Sequence, residues 1–70
     1  MMTGNEFKAI RKELAMTQPK LAETLGITLR TVVNLEKAEA VKNHYAFAVQ
    51  YLLYQDKLRD IHRITSNMAL

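Results

Sequence analysis

Seventy residues without a cysteine make one small domain, with no disulfide and no cysteine-based metal site to support its core. Ten Lys and Arg against seven Asp and Glu leave a net charge of +3, which permits a polyanionic partner without requiring one. No apolar run reaches the length of a membrane span, and MMTGNEFKAIRKE lacks a signal-peptide apolar region, so a soluble cytoplasmic protein is expected. A core of this size rarely supplies more than ~3–5 kcal/mol, which makes self-association a natural source of further stability.

Thr3-Gly4-Asn5-Glu6 reads as a capping box, in which the Thr hydroxyl takes an amide of the first turn and Glu6 reaches back. The first helix then runs from about Gly4 to Ala15, with Phe7, Ile10 and Leu14 as its buried stripe and Arg11 at the edge of that stripe. Met16 is expected to pack inward. Thr17 is the N-cap of a second helix that tolerates Pro19 in its first turn. That helix ends at Leu25, because Gly26 adopts a left-handed conformation without a Cβ penalty.

Thr28 caps a third helix from Leu29 to about Lys37. Its β-branched middle (Thr31, Val32, Val33) depends on tertiary packing to stay helical. Val41 anchors the following loop, and Asn43 caps a helix that begins near His44. From there to about His62 no Gly or Pro occurs, so the segment is one long helix or two with a bend around Tyr54–Asp56. Tyr45, Ala48, Val49 and Leu52 suit packing on the other helices. Phe47, Tyr51, Tyr54, Leu58 and Ile61 repeat at 4-3-4-3 spacing on a second face, which is a heptad seam suited to a second copy of the chain. Residues 64–70 show no strong period and are expected to be a disordered or extended tail. The chain therefore reads as an all-α bundle of four or five helices.

The run Thr17-Gln18, Leu21-Ala22, Leu25-Gly26-Ile27-Thr28, Thr31-Val32 and Glu36 resembles the Cro/repressor-type (Xre-family) helix-turn-helix proteins of phages and prokaryotes. Their pattern is T-Q-x-x-L-A-x-x-L-G-[VI]-[ST]-x-x-T-[VI]-x-x-W-E. Phe7 to Lys12 also looks like the family's first helix, so the resemblance covers roughly Glu6 to Leu53. Two residues depart from it. Leu35 stands where Trp is common, which changes core volume, and Ala38 stands where Gly often follows the Glu. Alanine does not favour a left-handed stop, so the third helix has freedom to run a turn further.

The resemblance implies a lambda-repressor-like helix-turn-helix bundle, with residues 1–63 as a DNA-binding and dimerisation domain and residues 64–70 as the tail. It also implies a sequence-specific regulator of double-stranded DNA. Such a protein acts most simply as a homodimeric repressor of its own or a neighbouring promoter, on a pseudo-palindromic operator and without a cofactor. The helix after the turn enters the major groove, and here Thr28, Leu29, Arg30, Val33, Asn34 and Lys37 are free to face it. Arg30 suits bidentate pairing with guanine, and Asn34 suits a base or a phosphate. Leu29 and Val33 suit thymine methyls, or else an ordinary exposed apolar surface or partner contacts. Gln18, at a frequent backbone contact of the family, and Lys20 open the second helix where a phosphate can approach. Lys20, Lys37 and Lys42 are read as a phosphate grip in preference to a plain solvated surface. The family also often pairs an Arg of the first helix with the Glu ending the third, positions held here by Arg11 and Glu36.

An antitoxin-like module that binds another protein through the last helix is the main alternative. An enzyme is not expected. Ser66 is the only serine and lies in the tail, Asp60 and His62 fall on different sides of a helix, and His44 and His62 lack further metal ligands. Tyr45, Tyr51 and Tyr54 are spaced for helix packing rather than for stacking on bases.

Overall fold

Threonines begin three of the four helices. In the computed structural model, which describes the backbone of residues 1–68 and the side chains of residues 1–61, α1 spans Gly4–Glu13 and α2 spans Gln18–Leu25. They are followed by α3 at Leu29–Lys37 and α4 at Asn43–Met68, an all-α bundle without a strand among the described residues. Thr3 accepts the Glu6 amide at 3.1 Å, and the Glu6 carboxylate accepts the Thr3 amide at 3.0 Å. The bond from the Thr3 backbone, and then the one with its hydroxyl, holds the Glu6 carboxyl below the usual carboxylate range. Thr17 accepts the Lys20 amide at 3.2 Å and Thr28 the Thr31 amide at 3.1 Å, so each helix has one otherwise unpaired donor satisfied locally.

The helix ends differ more from one another than the starts do. Gly26 closes α2 in the left-handed region (φ 71°, ψ 32°), with Gly26 N–H on the Glu23 carbonyl and Ile27 N–H on the Ala22 carbonyl. α1 ends by the same pair of bonds, Ala15 N–H to the Lys12 carbonyl and Met16 N–H to the Arg11 carbonyl, but over an alanine at φ 58°. It therefore stops at Glu13, earlier than the expected Ala15, and holds an L-residue in a conformation that costs roughly 1–2 kcal/mol.

α3 stops at Lys37 without a left-handed residue, since Ala38 is extended (φ −72°, ψ 146°). The extra turn that Ala38 left open does not form. Instead the Ala38 carbonyl accepts the Gly4 amide at 2.9 Å, and Met2 accepts the Val41 amide at 2.8 Å. Gly4 lies so close that a Cβ there would sit 2.6 Å from the Ala38 and Leu35 carbonyl oxygens and 2.7 Å from that of Glu36. The start of α1 is thus pressed onto the end of α3.

α4 begins at Asn43, with the Lys42 carbonyl accepting the Tyr45 and Ala46 amides. Asn43 is therefore the first helical residue and not the expected cap. The helix is continuous through Tyr54–Asp56, passes His62 and reaches Met68, so the segment expected as a tail begins inside it. The side chain of His62, and residues 69 and 70, lie outside the described residues. No helix among those described is long and apolar enough to cross a membrane.

One core joins all four helices. Phe7 from α1, Leu21 from α2, Val32 from α3 and Val49 from α4 are fully enclosed, each stabilising by about 1.5–3 kcal/mol through burial. Ala22, Leu35, Ala46, Val41 and Met2 complete it, and Ile10, Leu14, Met16, Leu25, Ile27, Tyr45 and Leu52 pack around it. Val41 anchors the corner as expected. The burial of Met2 and Ala46 was not legible from spacing alone.

Candidate nucleic-acid interface

α3 divides by side. Val32 and Leu35 face the core, while Leu29, Arg30, Asn34 and Lys37 are exposed and Val33 is half-buried. Leu29, Arg30, Val33, Asn34 and Lys37 line one shallow, open depression on the outer surface. Five of the eight expected DNA-facing residues are therefore gathered on a single patch of one helix. Its chemistry is mixed, with two cations, an amide and two apolar side chains. Thr28 stands just before them, its hydroxyl held by the Thr31 amide and, at 2.8 Å, the Thr31 hydroxyl.

The other two expected contacts lie on the first turn of α2. Lys20 is exposed. Gln18 is not free: its Nε2 donates to Glu36 Oε1 at 3.0 Å. That bond belongs to a larger node. Arg11 Nε donates to Glu36 Oε2 at 2.6 Å, Arg11 Nη2 to Glu36 Oε1 at 3.3 Å, and Arg11 Nη1 to the Met16 carbonyl at 2.8 Å. The two charged side chains are only 11% and 4% exposed. One carboxylate at the end of α3 therefore ties down α1 and the start of α2 together. No buried side-chain nitrogen or oxygen among the described residues lacks a hydrogen-bond partner. Removing either charge would leave the other largely buried without its ionic partner.

The seam residues of α4 stand on the face opposite its buried Ala46 and Val49. Phe47, Tyr51 and Tyr54 are 65%, 59% and 61% exposed, and Leu58 and Ile61 continue the same stripe at 38% and 58%. Among the described residues, the Tyr51 hydroxyl accepts only from Gln55 on its own helix, at 3.1 Å. Lys57 reaches Glu13 of α1 at 3.4 Å, but both side chains are more than half exposed, and such a pair contributes little. Among the described residues no three His, Cys, Asp or Glu side chains group as metal ligands.

Two features of the site were missed from the sequence. The inward bond of Gln18 leaves no local trace, since glutamine is equally at home in solvent. Gly4 did leave one, because a glycine loses more backbone freedom than alanine when fixed in a helix and so calls for a steric reason. Comparison with protein-family models, with curated proteins and with solved structures found no match to this chain.

Proposed function

We propose that this protein is a sequence-specific regulator of double-stranded DNA that inserts α3 into the major groove. The observation that carries the reading is the outer face of α3. A helix has the width to enter that groove, where base edges present donors, acceptors and methyl groups. Arg30, Asn34 and Lys37 supply the hydrogen-bonding side chains, Leu29 and Val33 the apolar ones, and none of them is engaged elsewhere in the fold. Arg30 pairs with guanine. Lys20 and Lys37 grip phosphates beside the start of α2, and Gln18, with one amide hydrogen held by Glu36, presents the other to the backbone. The resemblance of Thr17–Glu36 to the Cro/repressor pattern supports the same reading and suggests a cytoplasmic repressor of its own or a neighbouring promoter.

The working form is a homodimer through Phe47, Tyr51, Tyr54, Leu58 and Ile61 of α4. It sets two copies of α3 about 34 Å apart on a pseudo-palindrome. The exposed stripe supports this, since a contiguous apolar face of that length marks an interaction surface.

Selection of bound duplexes from a random pool at two salt concentrations tests the reading. A palindromic consensus is the expected result. Binding without a consensus and with a steep salt slope would leave only electrostatic attraction and sink it. Arg30→Ala should weaken the selected duplex by about 1–3 kcal/mol and relax one base position; equal weakening on every sequence would make Arg30 a phosphate contact instead. Tyr51→Glu should halve the mass measured by light scattering with helicity intact. A wild-type chain that stays monomeric alone and pairs only with a foreign protein would favour the antitoxin-like alternative.

A further inference from the structure

The apolar pair on the reading face lies outside the core. Leu29 and Val33 stand one turn apart on the outer side of α3, Leu29 is 46% exposed, and neither belongs to the core or packs against it. Both line the same depression as Arg30, Asn34 and Lys37, which provide all of its side-chain hydrogen-bonding capacity. A surface that needed only to bind phosphate would gain nothing from a leucine and a valine in its lining.

The major-groove edge of a base pair offers one apolar group, the methyl on pyrimidine C5. Thymine carries it always, and cytosine carries it when methylated. We infer that Leu29 and Val33 read this C5-methyl group itself, so that 5-methylcytosine is recognised at their positions where unmodified cytosine is not. The chemistry of the pair dictates the equivalence. A side chain with no polar atom cannot tell the O4 acceptor of thymine from the N4 donor of cytosine; it registers only whether the methyl fills the space against it. Occupancy of a site with cytosine at such a position then follows the methylation state of the DNA. This inference rests on α3 entering the major groove.

The test uses the duplex recovered by selection. Each thymine is replaced singly by deoxyuridine, which removes the methyl and nothing else. At one or two positions per half-site affinity should fall about fourfold, the transfer value of one buried methyl-sized group. At those same positions a 5-methylcytosine·guanine pair should bind about fourfold tighter than cytosine·guanine. Leu29→Ser and Val33→Ser should erase both differences while leaving the chain folded, read as unchanged helicity at the assay temperature, since neither residue belongs to the core. A specific duplex indifferent to every uracil replacement overturns the inference and leaves the DNA reading standing. So does a methylcytosine no better than cytosine, or a methyl effect that survives both serine variants. A pool that yields no consensus overturns the inference together with the reading beneath it.

Discussion

The two ends of α3 are built to opposite specifications. At its far end, Glu36 is bound by Arg11 and Gln18, and Gly4 is pressed against the carbonyls of Leu35, Glu36 and Ala38 with no room for a methyl group. At its near end the preceding turn is open: a Cβ at Gly26 would find no atom within 4 Å, and the side chains of Leu29 and Arg30 project freely. One end positions the helix and the other presents it. A short helix with a β-branched middle cannot hold an orientation by its own propensity, so the ties at its far end and the burial of Val32 and Leu35 fix it while its outer face stays open.

Substitutions at the two ends should therefore differ in cost. Arg11→Ala should have the largest effect, about 3–5 kcal/mol in urea unfolding, because Glu36 is left as a buried charge with its main partner gone. Replacing both at once, Arg11→Met with Glu36→Leu, should recover most of that loss. A single variant of wild-type stability would show the node to be ornamental. Gly4→Ala comes next, at about 1–3 kcal/mol, since the obstacles to its new Cβ are backbone carbonyls that cannot turn aside. Gly26→Ala should cost less, about 1–2 kcal/mol, because the left-handed backbone is its only penalty. Equal midpoints for the two glycine variants would erase the contrast between the ends.

The smallest effect is electrostatic. The Glu6 carboxyl is held low in the folded chain, so its contribution to capping α1 is present at neutral pH and fades as pH falls below the ordinary carboxylate range. Glu6→Gln should flatten that part of the acid-unfolding profile. An unchanged profile would place the acid sensitivity in other carboxylates.

Legibility in the sequence followed the range of the interaction. Thr3, Thr17, Thr28 and Gly26 act on amides and carbonyls within five residues of themselves, so their roles could be read from spacing alone. The outward residues of α3 could be read as well, because helical period separates them from Val32 and Leu35. The end of α3 could not. It depends on a glycine some thirty residues earlier in the chain, and an alanine's composition carries no hint of the amide that its carbonyl will meet. Ala15 misled for a related reason. A left-handed stop is normally announced by glycine, and here the guanidinium of Arg11 and the packing of Met16 and Leu14 hold an alanine there instead. The start of α4 was misjudged by one residue because Asn43 has a capping side chain, whereas the observed first acceptor is the Lys42 backbone.

The clasp between residues 2–4 and residues 38–41 has a mechanical meaning as well. It closes the elbow from which α4 departs, with Met1 fully exposed just outside it. α4 has 26 residues, and at the rise of an α-helix it is a lever about 39 Å long. A swing of about 10° at the elbow carries the far end of such a lever through roughly 7 Å, more than one helical turn. Two backbone hydrogen bonds near the amino terminus thus brace an elbow whose angle the length of α4 magnifies at its far end.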